Sequence, residues 1–210
     1  MTVRRSARIS SRKEPKQARS AELVAAVLDA AAQVLAKEGA QRFTTARVAE
    51  EAGVSVGSLY QYFPNKAAIL FRLQSDEGRR TSALLGGILE DDRRAPLERL
   101  RALTHAFMRS ECEEAAMRVA LSDAAPLYRD APEAREARAS GEGAVHAFMR
   151  EALPEASDAV RGLTGELITT TLSKLGKHVS ERPRPAAEIE AYSDALANMF
   201  CAYLASLDGR

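Results

Sequence analysis

The side chains best suited to polar recognition crowd into one stretch, TTARVAEEAGVSVGSLYQYFPNK, residues 44–66. Its hydroxyls (Thr44, Thr45, Ser55, Ser58, Tyr60, Tyr62), its amides (Gln61, Asn65) and its cations (Arg47, Lys66) offer hydrogen bonds and charge rather than a catalytic set. The positions these groups occupy follow from the backbone the stretch prefers. Thr44 is a good N-cap, and the residues after it favour a short helix with Val48, Ala49 and Ala52 on one face. Gly53 stands where a helix ending in a left-handed residue wants glycine, and Val54 can turn inward. Ser55 can cap a second helix, Val56 to about Tyr62. Gly57 and Ser58 keep the outer face of that helix small, while Leu59 and Phe63 can face a core. Two short helices across a tight turn form a helix-turn-helix layout, which a DNA major groove about 12 Å wide accepts. The same layout also occurs in helical proteins that do not touch DNA.

No enzymatic constellation assembles elsewhere. His105, His146 and His178 stand apart, with no HExxH spacing that would suggest a metal. Gly141-Glu142-Gly143 follows no strand and precedes no lysine at phosphate-loop spacing. Cys112 and Cys201 lie far apart outside any CxxC and read as structural thiols in a reducing compartment. No catalytic residue, metal or cofactor is expected.

The stretch resembles the DNA-binding domain of the tetracycline-repressor (TetR) family of bacterial transcriptional regulators. The residues that carry the resemblance are Ala49 to Val54, Ser58-Leu59-Tyr60, and Tyr62-Phe63-Pro64-Asn65-Lys66, with an amphipathic helix upstream and a helical continuation after Lys66. It covers about residues 20 to 75, and the rest of the chain matches in length and helical character alone. The resemblance implies that Val56, Gly57 and Ser58 face bases, with Tyr60, Tyr62 and Lys66 on flanking phosphates. It also implies backbone contacts from Thr44, Thr45 and Arg47, and Ser55 and Gln61 complete the candidate set. Ala46 departs from the larger polar residue that some relatives carry there, which removes a base contact from that position.

Composition agrees with an all-α fold: 46% hydrophobic residues but only 5% aromatics, with alanine and leucine abundant. The net charge of +1 is unevenly spread. Residues 1–19 hold Arg4, Arg5, Arg8, Arg12, Lys13, Lys16 and Arg19 against Glu14, so a positive arm precedes a slightly acidic body. The arm, residues 1–18, shows no apolar periodicity and reads as flexible, with phosphate or minor-groove contacts as its function. No apolar run is long enough for a membrane span, and the amino terminus lacks a signal-peptide core, so a cytoplasmic protein with no membrane partner is expected.

About nine helices are expected, divided into the arm (1–18), a helix-turn-helix domain (19–65) and a helical effector-binding and dimerisation domain (66–210). The first helix should run from Ser20 to Lys37 with Gly39 at its end. A long helix should begin at Lys66 behind Asn65 and run as far as Leu85 or Leu89, with Gly86-Gly87 as a weak point or end. Further helices are expected over 96–113, 115–122, 132–153, 157–179 and 186–207, with the proline-containing segment 123–134 as a connection or a single turn.

Within the body, His105, Phe107, Met108, Met117, Tyr128, Phe148 and Met149 are the soft or aromatic residues that could line a cavity, or simply pack a core. The resemblance implies that some of them face a pocket, and the scarcity of charge among them points to an apolar or aromatic effector. Ile189, Tyr192, Leu196, Met199, Phe200 and Tyr203 form a stripe on the last helix, and Leu163, Leu167, Thr171 and Leu175 do so on the one before. Either stripe could be consumed inside the monomer. The resemblance implies instead that these two helices pair with a second copy as a four-helix bundle. The expected protein is a homodimeric repressor that binds a palindromic operator and is released by a small-molecule effector. The competing expectations are an effector-independent architectural DNA-binding protein and a helical enzyme.

Overall fold

The computed structural model of the chain describes residues 9–10, 18–134 and 143–207. Among them it has nine α-helices, one 3-10 turn and no strand, the helix-rich outcome that the composition predicts. The helices are α1 (Ala18–Arg42), α2 (Thr45–Glu51), α3 (Val56–Tyr62), α4 (Lys66–Leu89), α5 (Pro96–Glu113), α6 (Ala115–Ala124), α7 (Gly143–Ala152), α8 (Asp158–Ser180) and α9 (Ala186–Leu207). The 3-10 turn Ala125–Leu127 follows α6.

Contacts divide the chain into two compact units, Met1–Gly78 with Ala116–Ala139, and Arg79–Ala115 with Ser140–Arg210. The expected division after residue 65 therefore differs from the contact division in two places. The first half of α4 packs with the helix-turn-helix, because Ala67, Ala68, Ile69 and Leu70 are buried in that core. The segment from Ala116 does so as well, fastened by three contacts to α4. Arg118 pairs with the buried Glu77 at 2.6 Å, the Tyr128 hydroxyl lies 3.4 Å from the Gln74 amide oxygen, and the Tyr128 ring meets Phe71 at 6.0 Å between centroids. The proline-rich connection is thus seated rather than loose, with Tyr128 and Ala131 buried.

In the first unit, Val27, Ala31, Val34 and Leu35 of α1 supply the floor on which Val48, Ala49 and Leu59 pack. Gly39 stops the regular winding of α1 with φ 72° and ψ 173°, a conformation that favours glycine, and a short helical tail carries on to Arg42. Asn65 accepts from the Ala68 amide at 2.9 Å and so caps α4. Residues 1–8 and 11–17 of the expected arm lie outside the described residues. Ile9 does not behave as a flexible tail residue: it is 1% exposed within the first unit's core.

In the second unit, α5 packs against α7, α8 and α9. Gly86 and Gly87 neither end nor break α4, which continues to Leu89. The buried Arg99 of α5 is the polar centre of this unit. Its Nη1 donates to the Leu89 carbonyl at 2.6 Å, its Nη2 donates to Glu151, and its guanidinium carbon stands 5.6 Å from the Phe148 ring centroid. Guanidinium and ring attract one another through the ring quadrupole. The expected helix from 132 to 153 is described at 132–134 and 143–152, and its middle lies outside the described residues.

Candidate nucleic-acid interface

Two caps fix the helix pair. The Thr44 hydroxyl accepts from the Arg47 amide at 3.3 Å to start α2, and Ser55 accepts from the Ser58 amide at 3.0 Å to start α3. Between them Gly53 takes φ 64°, and the Val54 amide donates to the Ala49 carbonyl at 2.9 Å. The turn is therefore closed by the backbone. Leu59 and Phe63 are buried as their spacing predicts, which leaves Ser55, Val56, Gly57, Tyr60 and Gln61 on the exposed side of α3 and Ser58 half-buried.

On α2 and its cap, Thr44 and Arg47 are exposed and Thr45 is half-buried. Thr45 Oγ1 lies 3.1 Å from the Tyr60 hydroxyl, so the outer faces of α2 and α3 meet at a pair of hydroxyls. Arg47 is engaged within the protein, paired with Glu38 and 3.5 Å from the Arg42 carbonyl, so a phosphate must compete for it. Lys66 opens α4 half-buried. Tyr62 differs from its expected role. At 8% exposure its ring belongs to the core, because it follows Leu59 by three positions on the same face, and only its rim can approach a phosphate.

The seven expected cavity residues separate. Phe107, Phe148 and Met149 line one chamber of about 360 Å³ in the second unit. Leu85, Gly86 and Leu89 of α4, Leu100 and Leu103 of α5, and Ile168 and Leu172 of α8 contribute most of the remaining wall. Individually these are ordinary helix-stripe residues, so only the facing of four helices identifies them. Met108 is fully buried core. Met117 and Tyr128 belong to the core of the first unit, where burial pushes the Tyr128 phenol up to about 12. His105 is held between two carboxylates of α9, with Nδ1 3.2 Å from Glu190 and Nε2 3.3 Å from Asp194. These four are corrections to the expected lining.

The two long helices at the carboxyl end also divide their residues. Leu163, Leu167 and Met199 are 63%, 48% and 52% exposed, and Thr171, Leu175, Ile189, Tyr192 and Tyr203 are half-buried. A shallow apolar groove between α8 and α9 includes Thr171, Leu175, Tyr192 and Met199. Phe200 is a correction, since at 2% exposure it is buried within the monomer, while Leu196 is 4% exposed and also lines that groove. Among the described residues no helix is long and apolar enough to cross a membrane, and no group of histidine, cysteine and carboxylate side chains is arranged to hold a metal. Burial raises both thiols, Cys112 and Cys201, away from reactivity.

Comparison with known proteins agrees with this geometry. Residues 27–73 match the family model described as bacterial regulatory proteins, tetR family, and residues 95–207 match the tetracyclin repressor-like C-terminal domain. The nucleoid occlusion factor SlmA of Vibrio campbellii is 39% identical over 83 residues, covering 39% of this chain and 42% of the relative; the match thus spans less than half of that protein. The fatty acid degradation regulator FadR from Bacillus halodurans superposes with a TM-score of 0.65 at 17% identity, over 90% of this chain and 97% of that one. SmeT in its triclosan complex superposes with a TM-score of 0.63 at 18% identity, over 87% and 91% of the two chains.

Proposed function

The chain belongs to the TetR family, whose members are DNA-binding transcriptional regulators rather than enzymes, and from that premise we propose a ligand-responsive repressor that binds a palindromic operator as a homodimer. The observation that carries the DNA reading is the exposed face of α3, small at Ser55, Gly57 and Ser58 and braced beneath by buried Leu59 and Phe63. A face that small lets the helix axis approach base edges closely, with Val56, Gly57 and Ser58 at the bases and Tyr60, Gln61 and Lys66 toward the backbone. Two such helices reading a palindrome must stand one DNA turn apart, about 34 to 36 Å. The dimer rests on the exposed apolar residues of α8 and α9.

The effector site in this reading is the 360 Å³ chamber, a volume within the range of small-molecule cavities. Its wall contains the last turn of α4, the helix that begins next to the recognition helix at Lys66. A small, largely apolar ligand that favours one setting of that wall shifts the population of DNA-competent molecules by its differential affinity. The triclosan-bound relative supports a small, largely apolar or aromatic occupant. Selecting genomic fragments with the purified protein, then titrating candidate apolar ligands into the strongest complex, tests both halves. Absence of any selected sequence would reject the repressor, and a complex indifferent to every cavity-binding ligand would reject the release mechanism. A second reading, an effector-independent architectural DNA-binding protein, is favoured by the similarity to a nucleoid occlusion factor, and such a ligand-indifferent complex would select it.

A further inference from the structure

The apolar chamber adjoins a more polar recess of about 520 Å³, and the two share Val145, Met149 and Thr169 as walls. The recess adds His146, Arg161 and Glu166 to that shared wall. Gly165 lets the partition form, since a Cβ there would stand 3.2 Å from Val145 Cγ1 and 3.5 Å from Met149 Cγ. The bare backbone of α8 is what admits these two α7 side chains.

Charge in the recess is unevenly answered. Arg161 is engaged within the protein: Nη1 donates to Asp158 at 2.9 Å, Nε donates to the Leu153 carbonyl at 2.9 Å, and Nη2 donates to the Pro154 carbonyl. The Thr169 hydroxyl donates to the Gly165 carbonyl at 2.8 Å, which leaves its lone pairs available as acceptors. The Glu166 carboxylate is exposed and meets no partner among the described residues. Beside an apolar chamber, the recess therefore offers acceptors and one unanswered negative charge, while its guanidinium is paired with Asp158.

We propose that the effector is a cationic amphiphile, its apolar body in the chamber and its ammonium head in the recess against Glu166 and Thr169. This rests on reading the chamber as the effector site, and the test separates the two. The full chain is loaded with the fluorescent probe N-phenyl-1-naphthylamine, which is then displaced by decylammonium, decanol or decanoate at neutral pH and low salt. Decylammonium displaces the probe at about fivefold to tenfold lower concentration than decanoate, with decanol between them, the size of one part-exposed charge attraction gained and one repulsion avoided. Glu166→Gln, at an exposed position that the fold does not use, abolishes the ammonium advantage and leaves decanol unchanged. A decanoate preference, or an ammonium advantage surviving in the Gln variant, overturns the head assignment while the chamber still binds. Failure of all three compounds to displace the probe overturns the chamber reading and the proposal with it.

Discussion

Thr45 Oγ1 on α2 and the Tyr60 hydroxyl on α3 stand 3.1 Å apart on the exposed side of the helix-turn-helix. The contact ties the two helices at the surface proposed to meet DNA, above the apolar floor that ties them from below. A hydroxyl pair so placed can present one shared donor to a phosphate, a contact that fixes position without reading sequence.

Tyr60→Phe therefore weakens operator and random DNA alike, by about 1 kcal/mol, or roughly fivefold, for one hydrogen bond. Thr45→Val has a similar effect, and the double variant loses less than the sum because both substitutions break one contact. Fluorescence anisotropy on specific and scrambled duplexes reads this directly. A changed base preference would move Tyr60 from the phosphate set to the base-reading set.

Ile9 changes what removal of the arm should do. Each phosphate neutralised contributes about −0.9 to the slope of log affinity against log salt, so deleting residues 1–8, which removes Arg4, Arg5 and Arg8, should flatten that slope without loss of thermal stability. Deleting residues 1–18 removes the Ile9 anchor as well and costs about 1.5 to 3 kcal/mol, the worth of one buried aliphatic side chain. Salt titrations and melting curves on the two truncations separate the effects, and equal stability of both would deny Ile9 its anchoring role.

What was legible in the sequence was local. Caps at Thr44, Ser55 and Asn65 and the left-handed glycines Gly39 and Gly53 declare themselves, because each satisfies backbone groups within four residues of itself. Long-range burial did not declare itself. Tyr128 sits in a proline-rich stretch whose pattern says a connection or a single turn, and its partners Phe71 and Gln74 lie more than fifty positions away. Phe107 and Met108 are neighbours of similar character, yet one lines the chamber and the other fills the core, since adjacent helical positions point about 100° apart. On α9 the alanines at 191, 195, 202 and 205 blur the stripe, so Leu196 and Met199 look alike in the sequence although one is 4% and the other 52% exposed.

Tyr128 gives the first unit an alkaline weakness. Its hydroxyl donates to the Leu121 carbonyl at 3.0 Å, and burial raises its ionisation from 10.0 to about 12 in the folded state. The unfolded chain releases this proton first, so the stabilisation is complete below pH 10 and is lost as pH rises toward 12. Tyr128→Phe should cost about 1 kcal/mol near pH 8, and the gap between the two proteins should close between pH 10 and 12. Denaturant unfolding at stepped pH measures the gap, and a constant difference would remove Tyr128 from the titrating set.

Gly176 on α8 controls the seat of Phe107. A Cβ at that position would stand 2.8 Å from Phe107 Cε1 and 3.0 Å from Glu111 Cγ, distances at which something must shift. Gly176→Ala gains helix propensity but drives the Phe107 ring toward the chamber, for a net loss of about 1 to 2 kcal/mol. Pairing it with Phe107→Leu should recover most of that loss, a coupling that a double-mutant cycle in urea detects. Strictly additive losses would show that the ring yields in some other direction.

The proposed dimer is tested on the exposed residues rather than on the whole stripe. Leu196 is 4% exposed, so Leu196→Glu buries an unpaired charge inside one subunit and unfolds it whether or not a partner exists. Leu167 and Met199 are about half exposed on α8 and α9, and a charge there is hydrated in an isolated subunit. A two-fold interface introduces each substitution twice and desolvates both copies, so the Leu167→Glu, Met199→Glu double variant repels where the wild type packs. Light scattering should report monomers whose circular dichroism and melting cooperativity resemble those of the wild-type subunit. Operator affinity should fall by about two orders of magnitude or more, because half-sites bound independently lose the effective concentration that one dimer supplies. If the double variant remains dimeric and binds its operator normally, the faces of α8 and α9 do not form the interface, and the two recognition helices must be held at their spacing by another surface.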